Sequence, residues 1–354
     1  MGTLATKYRP MSFEDVTEQE NIKIILQNQI KNNSIKNAYL FCGGAGTGKT
    51  TTARIFAKEI NKGQGNPVEI DAASNNGVEQ VRTIIEDAKF KPLDSEYKVY
   101  ILDEVHMLSI GAWNAMLKLL EEPPKTTIFL LCTTDPQKIP ATILSRVQRY
   151  DFQRISYQGI VDRLLHIIEK ENNEICNNYG NDFTEEEAQR LLLDYEKEAI
   201  NYIAKIADGG MRDAISLLDK CIAFDNKLTV ANVIKALGVS DYDNLLELIT
   251  AILHKSDKEK LSIIESVYQD GKDLKQFIKQ LLACVLDICK YLIYNDFSYI
   301  KIPNTISLEK FKVYDYTKFT ELLDNLIALN QQIKYETNPK VLIQSQLLLF
   351  NKKG

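Results

Sequence analysis

The sequence predicts an α/β nucleotide-binding domain, a parallel sheet with helices on both faces, followed by two all-helical parts. Three observations carry this expectation. A phosphate-binding loop, Gly43-Gly44-Ala45-Gly46-Thr47-Gly48-Lys49-Thr50, stands between an apolar run and a helical pattern. Short apolar runs then alternate with helical periodicity up to about Ser156. Beyond that point strand-like runs cease and helical spacing continues to the end. A chain of 354 residues suits two or three domains, and the expected divisions are 1–156, 157–240 and 241–354.

Lys7-Tyr8-Arg9-Pro10 and Ser12-Phe13-Glu14 are too irregular to start a helix. From Glu18 onward, Ile22, Ile25, Leu26 and Ile30 recur at helical spacing, and the pattern fades in Lys31-Asn32-Asn33-Ser34. Ala38-Tyr39-Leu40-Phe41-Cys42 is a short buried strand, and Ile55, Phe56 and Ile60 mark the helix behind the loop. Residues 62–67 read as a turn and Val68-Glu69-Ile70-Asp71 as a second strand. Val78, Val81, Ile84, Ile85 and Ala88 lie on a helix closed by Lys91-Pro92. A third strand, Lys98-Val99-Tyr100-Ile101-Leu102, ends in Asp103-Glu104, and a helix through Trp113, Met116, Leu117 and Leu120 stops at Pro123-Pro124. Thr126 to Cys132 is a fourth strand and Tyr150-Asp151-Phe152 a fifth. Later apolar clusters, such as Ala199–Ile206, Val230–Leu237 and Phe277–Leu282, all fit helices. Residues 171–194 are polar, rich in Asn and Glu, and read as a surface loop plus an exposed helix.

A hydrophobic content of 45% with 26% charged residues is that of an ordinary globular protein. No run is long enough for a membrane span, and no signal peptide is expected, because Lys7 and Arg9 are not followed by an apolar core. The six cysteines are scattered without C-x-x-C pairs, which suits buried thiols in a reducing compartment, with the cytoplasm as default. A net charge of −5 argues against a surface that is basic overall, though one basic face remains compatible with it.

The loop's chemistry follows from its residue types. Gly43, Gly46 and Gly48 let backbone N–H groups converge on phosphate oxygens at a helix N-terminus, with Thr51 in its first turn. Lys49 supplies a cation for the outer phosphates, and the Thr50 hydroxyl can ligate Mg²⁺. Asp103, at a strand end, can complete the Mg²⁺ shell, while Glu104 can activate the attacking water.

Asp103-Glu104-Val105-His106-Met107-Leu108 and Asn114-Ala115-Met116-Leu117-Lys118-Leu119-Leu120-Glu121-Glu122-Pro123-Pro124 resemble the gamma/tau subunit of the bacterial DNA polymerase III clamp loader. So do Tyr8-Arg9-Pro10, Asp71-Ala72-Ala73-Ser74-Asn75, Leu144-Ser145-Arg146 and Met211-Arg212-Asp213-Ala214. The resemblance is dense from about residue 7 to residue 224 and fainter beyond. It implies an α/β P-loop AAA+ core, a helical lid and an all-α C-terminal collar that oligomerises. It also implies ATP and Mg²⁺ as ligands, and a motor that opens a sliding clamp and loads it onto primer–template DNA. Other clamp-loader subunits are the implied partners, in a homo- or hetero-pentamer with no membrane involved.

Residue by residue, the resemblance makes Thr134 the polar sensor of the γ-phosphate, with Thr133 beside it as a strand-end cap. Arg146 becomes an arginine finger acting in trans on a neighbour's nucleotide, and Arg212 the lid arginine that touches the γ-phosphate. Tyr8, Arg9, Pro10 and Val16 fall in the segment around the adenine. Arg82 is placed near DNA phosphates. Phe90 and Leu93 are placed either on an apolar foot for the clamp or in the core closing a loop.

The sequence also departs from the family. The cysteine-rich insertion after the loop helix is absent, so no zinc is expected. Gly43-Gly44-Ala45 replaces Gly-Pro-Arg, Val147 replaces the Cys of Ser-Arg-Cys, and Glu18 stands where a Gly is usual, which puts the adenine contacts in doubt. Residues 172–193 read as an insertion, and the expected protein is a short form of the kind a phage or a reduced genome carries, in the bacterial or host cytoplasm. Two other readings stay open: another AAA+ DNA motor of the branch-migration helicase type, and a clamp-loader stator that does not hydrolyse ATP.

Overall fold

Strands Ala38–Cys42 (β1) and Thr127–Thr133 (β4) are buried along their whole length, and Lys98–Asp103 (β3) is buried at its four middle positions. Near-continuous apolar runs of this kind belong inside a parallel sheet covered on both faces. In the computed structural model, which describes residues 2–177, 190–237, 242–297, 300–302 and 306–350, they are its centre. Val68–Asp71 (β2) and Gln148–Asp151 (β5) are largely exposed and form the edges. The order is β2-β3-β4-β1-β5 with every pairing parallel.

Alternation along the strands sorts the core into two layers. Leu40, Tyr100, Leu102, Phe129 and Leu131 face Val78–Ala88 (α4) and Ile110–Glu121 (α5), whose Val81, Ile84, Trp113 and Met116 complete that layer. Tyr39, Phe41, Val99, Ile101 and Leu130 face Leu26 of Glu20–Lys31 (α2) and Phe56 of Lys49–Ile60 (α3). Each fully buried Leu, Ile or Phe there stabilises the fold by roughly 1.5–3 kcal/mol. The parallel pairings of β4 with β1 and β3 place the C-terminal ends of these three strands side by side.

Three local readings need correction. Leu4–Lys7 is a single helical turn (α1), in an N-terminus whose irregular sequence predicts no helix. Ile25 is 42% exposed, so Ile22 and Leu26 of that stripe reach the core, with Ile30 packed against its edge. Asp194–Tyr195 and Lys227–Leu228 pair as two-residue parallel strands, in a region expected to be free of strands. The helix Tyr157–Asn177 runs well into the polar stretch, whose residues 178–189 lie outside the described ones.

The chain divides into two compact units, residues 1–192 with 203–219, and residues 193–202 with 220–354. Residues 157–240 thus contribute to both, and the expected boundary at 240 lies outside the described residues. The second unit contains helices Tyr242–Leu253, Asp257–Gln269, Leu274–Tyr294, Tyr316–Ile333 and Pro339–Leu349 around one apolar core. Asp273 and Asp315 cap two of them, accepting from the backbone N–H groups of Lys275 and Thr317. Lys260 is fully buried there, yet its ammonium is satisfied: Nζ donates to Leu347 O at 3.0 Å and lies 2.6 Å from Asp257.

Candidate nucleotide site

The site grows from the C-terminal edge of the sheet, where β1 gives way to the loop and α3. Gly43 cannot carry a side chain, because a Cβ would lie 2.7 Å from Phe152 O. Gly46 has φ +69°, and a Cβ there would lie 3.1 Å from Gly210 Cα and 3.3 Å from Arg212 N. Its carbonyl accepts from Met211 N at 3.0 Å, which fastens the loop to the N-terminus of helix Met211–Phe224. Small residues on both sides are what permit that approach.

These elements enclose a cavity of about 480 Å³. Tyr8, Arg9, Pro10 and Val16 line one side, and Gly46, Gly48, Lys49, Thr50 and Thr51 another. Asp103, Glu104 and Arg212 also line it. Lys49 is buried, and its Nζ donates to Gly43 O at 2.9 Å and Gly44 O at 2.7 Å. Burial pushes its pKa down, against the pull of Glu104 and Asp103. A dry cation facing two neutral carbonyls has more to gain from charged acceptors than from the contacts it keeps.

Across the cavity Thr50 Oγ1 donates to Asp103 Oδ2 at 2.7 Å, and Asp103 Oδ1 accepts from Glu104 N at 3.0 Å. Glu104 itself has φ +47°, an uncommon left-handed conformation for a residue with a Cβ. Its Oε2 accepts from Thr134 Oγ1 at 2.8 Å and Thr134 N at 3.2 Å. Thr133 Oγ1 accepts from Asp135 N at 3.0 Å, the strand-end cap expected of it. A hydroxyl and a carboxylate in direct contact beside a convergent set of N–H groups and a Lys suit a Mg²⁺–nucleoside triphosphate. Among the described residues no group of three or more His, Cys, Asp or Glu is arranged to hold a metal by side chains alone.

Several candidates lie elsewhere. Arg146 does not line this cavity; its Nη2 donates to Glu121 Oε1 at 2.7 Å and its Nη1 to Thr142 O at 2.6 Å, with a third of the side chain exposed. Arg82 pairs with Glu79 on the exposed face of α4. Phe90 and Leu93 are 70% and 103% exposed, which rules out the core alternative for both. Glu18 also stays out of the cavity lining. Its carboxylate accepts from Ser156 N and Ser156 Oγ, where helix Tyr157–Asn177 begins.

Three neighbours of the site have no cue in the sequence. Arg163 Nη2 donates to Tyr8 O at 2.8 Å and so holds the segment on the cavity's first side. Arg54, one turn along α3, lines the cavity and pairs with Glu69. His106 packs against Glu104; it stands two residues along in the motif, but only the backbone turn shows which way it faces.

Residues 68–156 match the family described as DNA polymerase III, delta subunit. Residues 187–227 match the DNA polymerase III clamp loader subunit ATPase lid domain, and residues 228–306 match domain III of DNA polymerase III subunits gamma and tau. The chain is 37% identical to DNA polymerase III subunit tau of Bacillus subtilis over 95% of its own length. It is 34% identical to subunit tau of Escherichia coli over 79% of its length. It spans only 61% and 44% of those two proteins. DNA polymerase III subunit gamma of Buchnera aphidicola (Schizaphis graminum) is 31% identical over 98% of this chain and 93% of its own. Among solved structures, the Thermotoga maritima RuvB Holliday junction branch migration motor aligns with a TM-score of 0.50 at 20% identity, over 69% of this chain and 79% of that one. That likeness speaks for the fold alone, a P-loop AAA+ core followed by helical domains.

Proposed function

We propose that this chain, which belongs to the DNA polymerase III gamma/tau family, is an ATP-hydrolysing motor subunit of a clamp loader. The observation that carries the reading is the adjacency of the β1, β3 and β4 ends, which joins Lys49 and Thr50 to Asp103 and Glu104, and Glu104 to Thr134.

The residues divide the work by chemistry. Loop N–H groups and Lys49 would bind the β- and γ-phosphates, with Lys49 leaving the carbonyls of Gly43 and Gly44 for charged oxygens. Thr50 and Asp103 would hold Mg²⁺, which supplies charge neutralisation on the phosphate oxygens when bound. Glu104 would orient the attacking water and take its proton, and Thr134 would contact the γ-phosphate. Arg212 reaches the same cavity from the helix that Gly46 anchors, so the angle of that helix can follow the nucleotide. Arg146 would serve a neighbouring copy, where it stabilises charge developing on the transferred phosphoryl group.

On this reading ATP binding draws several copies into an assembly, a pentamer by family resemblance, that holds a sliding clamp open around primer–template DNA. Hydrolysis then releases the loaded clamp. Because each site depends on a neighbour's arginine, basal turnover should be low and should rise when primed DNA and a clamp are added together. A rate indifferent to both, in a preparation that binds ATP, would contradict the assignment and favour a non-hydrolysing stator.

Phe90 and Leu93 form the surface we assign to the clamp, just past the C-terminal end of α4. Two such exposed apolar side chains are natural anchors for a hydrophobic pocket. Replacing both by Ser should weaken clamp binding at least roughly tenfold and leave ATP binding intact. Undiminished clamp affinity with an intact fold would remove the assignment.

A further inference from the structure

The turn after Glu104 brings a further side chain onto the same carboxylate. Val105–Met107 forms a single 3-10 turn that carries His106 back toward the end of β4. Its Nδ1 lies 3.2 Å from Glu104 Oε2 and 3.2 Å from Thr133 Oγ1. The imidazole is only 11% exposed, and Thr133, the last residue of β4, is fully buried. A bare Nδ1 lone pair facing an ionised carboxylate oxygen at that distance would be repelled. The contact is attractive only if Nδ1 carries a proton. The Thr133 hydroxyl, already fixed by the N–H of Asp135, lies beside the same Nδ1 and can share its proton as a second acceptor.

Oε2 of Glu104 thus meets the Thr134 hydroxyl, the Thr134 N–H and the His106 Nδ1–H. Its Oε1 takes part in none of these interactions. The Thr134 hydroxyl has one proton, so it cannot donate to Glu104 and to a γ-phosphate at once. If it turns to the phosphate, Glu104 gives up its shortest hydrogen bond. Two donors remain at 3.2 Å, one a backbone N–H and the other His106.

We infer that His106 is a positioning residue: through its Nδ1–H it keeps Oε2 of Glu104 fixed while Thr134 engages the nucleotide, leaving Oε1 for the attacking water. The inference rests on Glu104 being the general base, and the experiment separates the two claims. Single-turnover hydrolysis and ATP affinity are measured on the assembled protein for Glu104→Gln, His106→Leu and His106→Asn. Glu104→Gln should lose turnover by roughly 10²–10⁴ with affinity retained. His106→Leu should lower the hydrolysis rate by about tenfold, as expected when one charge-assisted hydrogen bond is removed from the transition state, without changing ATP affinity. His106→Asn should recover most of that rate, because its Nδ2 can donate from near the Nδ1 position, whereas Leu has the same bulk and no donor.

Wild-type turnover in His106→Leu beside an inactive Glu104→Gln would overturn the inference and spare the base. Equal rate reductions in Leu and Asn would reduce His106 to packing and overturn it as well. An active Glu104→Gln would remove the base assignment and the inference with it. Should His106→Leu fail to fold, His106→Phe keeps an aromatic ring there without a donor, and an unchanged rate in that variant would also overturn the inference.

Discussion

Lys49→Ala is expected to abolish ATP turnover, by at least roughly 10²–10³-fold, and to reduce ATP binding with it. Lys49 is buried at the start of α3, and among the described residues no other Lys lines the cavity. Removing it takes away the buried cation of the loop and leaves Gly43 O and Gly44 O without their donor. Lys49→Arg should not rescue, since a planar guanidinium cannot occupy the space of a compact ammonium held between two carbonyls 2.9 and 2.7 Å away. Turnover is the readout, with thermal stability measured alongside so that a folding defect is recognised. Wild-type turnover in Lys49→Ala would mean that the hydrolytic site lies elsewhere.

Arg146→Ala has the second largest expected effect, and its signature differs. ATP affinity should persist, because Arg146 does not line its own chain's cavity. Stimulated hydrolysis should fall by roughly 10³–10⁵, the range found when a trans arginine is removed from a phosphoryl-transfer site. Stability should hardly move. The Glu121 ion pair is partly exposed on both sides, and pairs of that kind contribute at most about 1 kcal/mol. Glu121 and the Thr142 carbonyl steer the guanidinium from its own chain, so Arg146 is presented with a defined direction before a neighbour arrives.

How far the sequence could be read depended on whether a constraint was local. The phosphate loop was legible because the backbone path at Gly43 and Gly46 forbids a Cβ, so the residue types report the geometry directly. Strands β1, β3 and β4 were legible because double-sided burial demands unbroken apolar runs. Asp103 and Glu104 followed from their place at the end of such a strand.

What escaped were pairings between distant residues and choices of exposure. Glu18 reaches Ser156, and nothing in its own neighbourhood announces a helix cap. Its departure from the family pattern, which put the adenine contacts in doubt, leads to a structural role outside the cavity lining. Arg163 meets Tyr8 O by the same kind of long-range hydrogen bond. Phe90 and Leu93 stand after α4 ends, where periodicity no longer says which way a side chain points. The single turn Leu4–Lys7 is too short for any periodic signal, and His106 depended on the left-handed turn at Glu104.

The central claim is that this chain's loop is half of a nucleotide site whose other half, Arg146, comes from a neighbouring copy. Mixing the two inactive variants tests it most directly. Lys49→Ala chains lack a working loop but still present Arg146, whereas Arg146→Ala chains bind ATP and lack the finger. Co-assembled with a sliding clamp and primed DNA, the mixture should regain ATP turnover that neither variant shows alone, at the interfaces where a sound loop meets a sound arginine. A mixture of confirmed co-assemblies that hydrolyses no faster than the sum of its parts would contradict the shared site.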